Sequence, residues 1–186
     1  MLGGEKIRQI LYSEIEYIGK EKIQATLASN IDSSQQYIHK IMNECITKLT
    51  YESSDDDTTI ATLCEVLLHF MLTICTLPSE RKIRVKNDLI IDVIIPNLQS
   101  LKIKPDRSII IQIIKDKMDL NRTLQLEFLQ PKHENIWLIS AKPLLSTKYT
   151  IYSVFPDAGL HNYSNIIIDI DNFLKETGDK SFRFIH

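Results

Sequence analysis

The sequence has little of what builds the commonest catalytic motifs. Its 186 residues include 5 glycines, 6 prolines and 5 histidines. It contains no glycine-rich phosphate loop, no HExxH helix and no GxSxG elbow, which excludes the enzyme classes that depend on those motifs. Because glycine and proline interrupt regular structure, their scarcity predicts long helices and strands with few linkers.

Cysteine is also scarce. Cys45, Cys64 and Cys75 are odd in number, lie in apolar helical segments and form no CxxC pair. This excludes a zinc finger and predicts buried, reduced thiols. The N-terminus enters a charged helical pattern directly, without a secretory signal, so we expect a cytoplasmic protein.

Residues 58–77 are apolar almost all round, but they do not predict a membrane span. Glu65 and His69 interrupt the run in its middle, and the uninterrupted part is too short to cross a bilayer. We expect a buried core helix and no membrane association. Glu65 and His69 lie four residues apart on one helix face, as a hydrogen-bonded pair or as a pair of metal ligands.

The net charge of −2 conceals an asymmetry along the chain. Residues 1–80 carry 6 Lys and Arg against 12 Asp and Glu, whereas residues 81–132 carry 11 against 6. The middle of the chain is therefore the region suited to an anionic partner such as DNA or RNA, unless it is an ordinary solvated basic surface. The residues predicted to bind nucleic acid are Arg81, Lys82, Arg84, Lys86, Lys102, Lys104 and Arg107.

The first 80 residues show helical periodicity. Apolar residues recur at spacings of three and four, which predicts helices over 4–18, 21–29, 34–50 and 58–77. Gly19 is expected to end the first helix. We expect residues 1–80 to form a helical domain.

From residue 81 onward the pattern changes to short runs rich in Ile and Val. Strands are predicted around 81–85, 89–96, 108–115, 134–143 and 149–156. Residues 119–130 fit a helix or a strand, with helix favoured, and residues 165–174 are expected to start as a strand and end as a helix. The predicted fold class is α+β, in which the helical segment packs on a mixed β-sheet with flanking helices formed by residues 81–186.

Two polar residues stand in the middle of the most apolar strands. Asp92 lies in LIIDVIIP and Gln112 in SIIIQIIK, with Lys115 closing the second run. A strand with a central aspartate, followed about twenty residues later by a strand with an acid or Gln and then a Lys, resembles the core of the PD-(D/E)XK nuclease superfamily. The predicted order of elements from helix 58–77 to strand 134–143 is similar to the αβββαβ core of that family.

This resemblance implies a nucleic-acid-interacting protein with a divergent nuclease-like core, and it leaves open whether the core is active. Asp92, Gln112 and Lys115 would be the catalytic residues, and Asp92 would hold Mg²⁺ if the site is active. The family pattern places acid and Lys two residues apart, so that they share a strand face. The three-residue spacing of Gln112 and Lys115 predicts opposite faces unless a bulge intervenes.

Two alternatives remain open from the sequence. Asp92 and Gln112 are also explained as structural residues, satisfied by a neighbouring strand or by Arg84 or Arg107. The whole chain is also explained as a non-enzymatic interaction or scaffold protein, with no cofactor, whose helical part binds a partner protein or a second copy of the chain.

Overall fold

The computed structural model describes residues 3–51, 57–85, 89–144, 148–156 and 161–178. Four helices account for most of the first 75 residues, as the apolar periodicity predicts. They are α1 (Gly4–Ile18), α2 (Lys20–Ser29), α3 (Ser34–Tyr51) and α4 (Asp57–Ile74). Gly19 separates the first two helices at a φ of 96°, a conformation that glycine adopts readily.

The rest of the described chain forms a six-stranded sheet with three further helices. The strands are β1 (Glu80–Arg84), β2 (Ile90–Ile95), β3 (Ile109–Ile114), β4 (Ile136–Ser140), β5 (Thr150–Ser153) and β6 (His161–Asn162). The helices are α5 (Leu98–Ile103), α6 (Lys117–Leu126) and α7 (Ile166–Glu176). The strands lie in chain order across the sheet, β1 to β3 antiparallel and β3 to β6 parallel.

Both faces of this sheet are covered. On the α4 face, side chains such as Ile109, Ile111 and Ile113 pack into one apolar core with α1–α4 and α7. On the α6 face, Ile110 and Ile114 pack with Leu101 of α5 and Leu126 of α6 in a second core. The near-continuous runs of isoleucine therefore reflect burial on both sides. The predicted α+β class is confirmed, while the division into domains 1–80 and 81–186 stays a prediction.

Two segments that the sequence left ambiguous are helical. Residues 117–126 form α6, as favoured, and Asp116 begins it by accepting hydrogen bonds from the backbone N–H groups of Met118 and Asp119. The prediction of a strand at the start of 165–174 is wrong, because that stretch belongs to α7. The buried residues Ile166, Ile167, Ile170 and Leu174 follow helical spacing.

The apolar helix α4 lies at the centre of the α4-face core. Within the described residues it alone is long and apolar enough to cross a membrane, yet 56% of it is buried inside the protein. Its Cys64 is buried, as are Cys45 and Cys75, and none of the three forms a disulfide. The expected buried core helix is confirmed, and the expected burial of the three thiols as well.

Candidate functional site

Asp92 interrupts the regular pairing of β2 with β3. The pairing of the two strands extends from Ile95–Ile109 to Val93–Ile111. Ile91 then packs in the α6-face core although Val93 packs in the α4-face core, so strict alternation fails between them. The Asp92 carboxylate takes the place of a backbone partner, since its Oδ2 accepts the Ile113 N–H at 2.7 Å.

Lys82 joins this carboxylate to helix α4. It lies opposite Asp92 in the β1–β2 register, between the pairs Arg81–Val93 and Ile83–Ile91. Its Nζ is 2.6 Å from Asp92 Oδ1 and 2.6 Å from Glu65 Oε1. The ammonium therefore bridges two carboxylates from different elements.

Lys115 extends the array on the other side of Glu65. Its Nζ donates to Glu65 Oε2 at 2.7 Å, just after the end of β3. We call the alternating set Asp92, Lys82, Glu65 and Lys115 the charge cluster. The two carboxylate side chains are nearly buried and both lysines are partly exposed, so the cluster presents its cations to solvent.

The pKa values in the charge cluster reflect a balance between burial and pairing. Burial raises the pKa of Glu65, but hydrogen bonds from Lys115 and Lys82 outweigh it and hold that pKa below its usual value. Burial raises the pKa of Asp92, and Lys82 and the Ile113 N–H oppose this only in part. Burial disfavours the Lys82 ammonium, yet its bonds to Asp92 and Glu65 raise its pKa. Lys82 is therefore held in the charged form.

The backbone of Lys82 is strained. Its φ is 51°, in the left-handed region that residues with a side chain rarely adopt. Neighbouring residues of a strand normally point to opposite faces, but Arg81 and Lys82 both line one cleft. Such outliers persist where the surrounding structure holds them, and they concentrate at functional sites.

The cleft in front of the charge cluster has a volume of about 900 Å³. It lies between α1, α4 and the strands β1 and β3, and Glu65, Lys82 and Lys115 form part of its wall. Its basic residues are Arg8, Lys20, Arg81, Lys82 and Lys115, and its acidic residues are Glu16 and Glu65. The lining therefore carries an excess of positive charge, which suits an anionic ligand.

His69 also lines this cleft. Its Nε2 is buried and has no hydrogen-bond partner among the described residues. Burial and the positive charge of Arg81 lower its pKa to about 4, so the ring is neutral near pH 7. Glu65, four residues before it, bonds the two lysines instead, so the expected Glu65–His69 pair does not form.

Gln112 lies away from the charge cluster. Along β3 it shares the alternation of Ile110 and Ile114, whose side chains pack on the α6 face, whereas Lys115 reaches Glu65 on the α4 side. Gln112 is buried, and its Oε1 has no partner among the described residues. The structure brings Asp92 and Lys115 into one cluster and leaves Gln112 outside it, on the opposite face that the spacing of three predicts.

The residues predicted to bind nucleic acid do not form one surface. Arg81 and Lys82 line the cleft, while Arg84 and Lys102 line a separate groove of about 640 Å³ on the α6 face. Lys104 and Arg107 line a third, smaller depression beside α5. Lys86 lies outside the described residues.

Glu65, Arg8 and Lys20 belong to this site, although the sequence does not predict them there. Glu65 gives a signal, as an acid in the middle of an otherwise apolar helix, but its spacing predicts a pair with His69. Arg8 and Lys20 belong to the acidic half of the chain, where no cationic surface was expected. Arg8 reaches the cleft because α1 packs beside α4, and Lys20 because α2 begins directly after Gly19 at the end of α1.

The residues present do not fit the divalent cation that the resemblance implies. The part of the chain that the structure describes contains no group of three His, Cys, Asp or Glu side chains able to hold a metal. The four carboxylate oxygens of Asp92 and Glu65 already accept from Lys82, Lys115 and the Ile113 N–H. A magnesium ion needs such oxygens directed at itself.

The structural alternative for Asp92 is right in one respect. A neighbouring strand does satisfy the carboxylate, through the Ile113 N–H, but the cation paired with it is Lys82, not Arg84 or Arg107.

The alternative of a protein partner predicts an open apolar face on the helical part. In α1–α4, as far as they are described, the large apolar side chains that are exposed are Tyr12 and Tyr17.

No family model matches the sequence, and no curated protein matches it. The fold, however, is similar to that of a protein solved in complex with DNA. The solved structure of metal-depleted Ecl18kI in complex with uncleaved, modified DNA superposes with a TM-score of 0.55 and 10% identity, covering 95% of this chain and 81% of that one. A second structure, metal-depleted Ecl18kI with uncleaved DNA, gives a TM-score of 0.49 and 9% identity over 98% and 76%.

The first of these likenesses shows that this chain shares the overall architecture of that protein. At 10% identity this likeness shows the architecture and says nothing about the catalytic motif. The order α4, β1, β2, β3, α6 and β4 is the αβββαβ order expected from the sequence, with α5 inserted between β2 and β3.

Proposed function

We propose that this protein binds DNA through the cleft in front of the charge cluster. The observation that carries the proposal is the convergence of five Lys and Arg side chains, from α1, α2, β1 and the end of β3, on one cleft of a nuclease-like fold. The structural neighbour is itself a complex with DNA. The expected ligand is the phosphate backbone, because its negative charge matches a basic cleft without requiring a base-reading element.

Within the cleft, the residues divide into two roles. Lys82 and Lys115 are held in place by their hydrogen bonds to carboxylates. Each ammonium has three N–H donors and both side chains are partly exposed, so each keeps at least one donor for a ligand. Arg8 and Arg81 are exposed on the lining and supply charge that the cluster does not neutralise. We propose that Arg8 and Arg81 contribute most of the attraction, and that Lys82 and Lys115 position a phosphate at the cluster.

The test is binding of labelled double-stranded DNA by the full chain over a salt series, measured by fluorescence anisotropy. Arg8→Ala/Arg81→Ala is expected to weaken binding by about tenfold or more and to reduce the slope of log affinity against log salt by about 2. Single-stranded DNA and RNA of the same length are measured in parallel. Cleavage with Mg²⁺ or Mn²⁺ is scored on the same samples.

The matched control is Lys102→Ala/Lys104→Ala, which removes the same formal charge from exposed positions outside the cleft. It is expected to change affinity less than twofold. Equal losses in the two double variants would contradict a cleft-specific contact. Absence of salt-sensitive binding by the unaltered chain at low salt would overturn the DNA-binding proposal as a whole.

A further inference from the structure

The Lys82 ammonium lies between the carboxylates of Asp92 and Glu65, a position that a metal ion bridging the two would also occupy. Its Nζ lies 2.6 Å from Asp92 Oδ1 and 2.6 Å from Glu65 Oε1. Mg²⁺ takes carboxylate oxygens at about 2.0–2.1 Å, so its bonds would be about half an ångström shorter. The ammonium therefore lies where a bridging ion would contact the same two oxygens, at slightly longer distances from them.

A second, independent observation supports a dedicated role for this lysine. Lys82 keeps a left-handed backbone conformation at a φ of 51°, which is sterically unfavourable for a residue with a side chain. An ordinary β-conformation would place neighbouring side chains on opposite faces, whereas here Arg81 and Lys82 share the cleft. The strain is maintained at the same residue whose ammonium joins β2 to α4.

We propose that Lys82 is a built-in substitute for a divalent cation. It pairs with both Asp92 and Glu65, whose charges it balances together with Lys115, and it keeps the unaltered protein from binding Mg²⁺ or Mn²⁺ between them. Removing the ammonium while leaving both carboxylates is expected to convert the same position into a divalent-cation site. The effect belongs to Lys82 alone, because Lys115 bonds the far oxygen of Glu65, while the Asp92 oxygens accept from Lys82 and the Ile113 N–H.

The experiment titrates Mn²⁺ into the full chain and measures bound ion by electron paramagnetic resonance and heat by calorimetry. Lys82→Ala is expected to bind one Mn²⁺ at least tenfold more tightly than the unaltered protein. Lys115→Ala, which removes the other ammonium of the cluster, is expected to gain nothing. Lys82→Ala/Asp92→Asn is expected to lose the new site, since the charge of one ligand is gone.

Circular dichroism first establishes that each variant is folded. If Lys82→Ala is not, Lys82→Gly replaces it, because glycine removes the ammonium and also relieves the positive φ. A folded Lys82 variant that gains no Mn²⁺ would overturn the proposal. So would Mn²⁺ binding by the unaltered protein that Asp92→Asn abolishes. The titration uses no nucleic acid, so its result is separate from that of the DNA-binding test.

Discussion

The antiparallel strands β2 and β3 each bury one polar side chain in the middle of the strand, and the two side chains differ in their hydrogen bonding. Asp92 and Gln112 are equally inaccessible, at 6% exposure each. Asp92 has a partner on both oxygens, one in the β3 backbone and one in Lys82. Gln112, on the α6 face, has an Oε1 with no partner among the described residues.

This difference separates a polar residue that is built into a site from one that is merely buried. A buried carboxylate is tolerated only when it is paired and hydrogen-bonded, so the structure around Asp92 is constrained on two sides. Among the described residues, Gln112 Oε1 has no hydrogen-bond partner, and Gln112 does not line the cleft. The predictions below test whether the α4 side and the α6 side of the sheet differ in this way, starting from the largest expected effect.

The largest effect is expected from removing the Asp92 carboxylate. Asp92→Ala leaves the Ile113 N–H buried without an acceptor and removes one partner of Lys82. We expect it to lower the free energy of unfolding by about 2–3 kcal/mol. The measurement is the urea midpoint at an unchanged slope.

Gln112→Met is the matched control, since it exchanges a side chain of similar size at equal depth for an apolar one. Replacing an unsatisfied buried polar group is expected to be neutral or to stabilise the fold by up to about 1 kcal/mol. A loss at Gln112 as large as the loss at Asp92 would erase the distinction between the two positions.

A smaller effect is expected from His69 and depends on pH. Burial and Arg81 lower the pKa of folded His69 to about 4, whereas the unfolded residue titrates near about 6.5, so the unfolded state binds more protons between these values. Stability is therefore lost as the pH falls from 6.5 toward 4, by less than about 1.4 kcal/mol per pH unit because the ring is partly exposed.

His69→Leu is expected to remove this part of the acid sensitivity. The measurement is the free energy of unfolding of both proteins at several pH values between 4 and about 7. Parallel curves would show that His69 contributes nothing to the pH dependence and that other groups of the cleft carry it.

The smallest effect isolates backbone strain at the cleft. Lys82→Gly and Lys82→Ala both remove the ammonium, but only glycine adopts a φ of 51° without steric cost. We expect the glycine variant to be more stable than the alanine variant by about 1 kcal/mol in thermal or urea unfolding. The same pair of substitutions at Ile111, a regular position of β3, should have the opposite order, since glycine weakens a strand interior.

Much of the fold was accessible from periodicity alone. The apolar spacing of α1 to α4 and the isoleucine runs of β2 and β3 are local patterns. Such patterns can be recognised in the sequence without knowing which elements pack together. One exception is residues 165–174, where a run of three isoleucines suggests a strand. Helical spacing from Ile166 to Leu174 gives a buried face for α7 instead.

The sequence by itself determined that Asp92 is the one polar residue in its apolar run and that Lys115 ends the next such run. It also determined that Gln112 and Lys115, three residues apart, lie on opposite faces of the sheet. Only the tertiary structure decided what Asp92 meets. Glu65 lies in α4, and the whole of β1 separates that helix from the strand that contains Asp92. Lys82 reaches both carboxylates through a backbone conformation that no pattern of apolar residues predicts. The physical reason is that burial follows local periodicity, whereas the pairing of charges depends on distances between elements that folding sets.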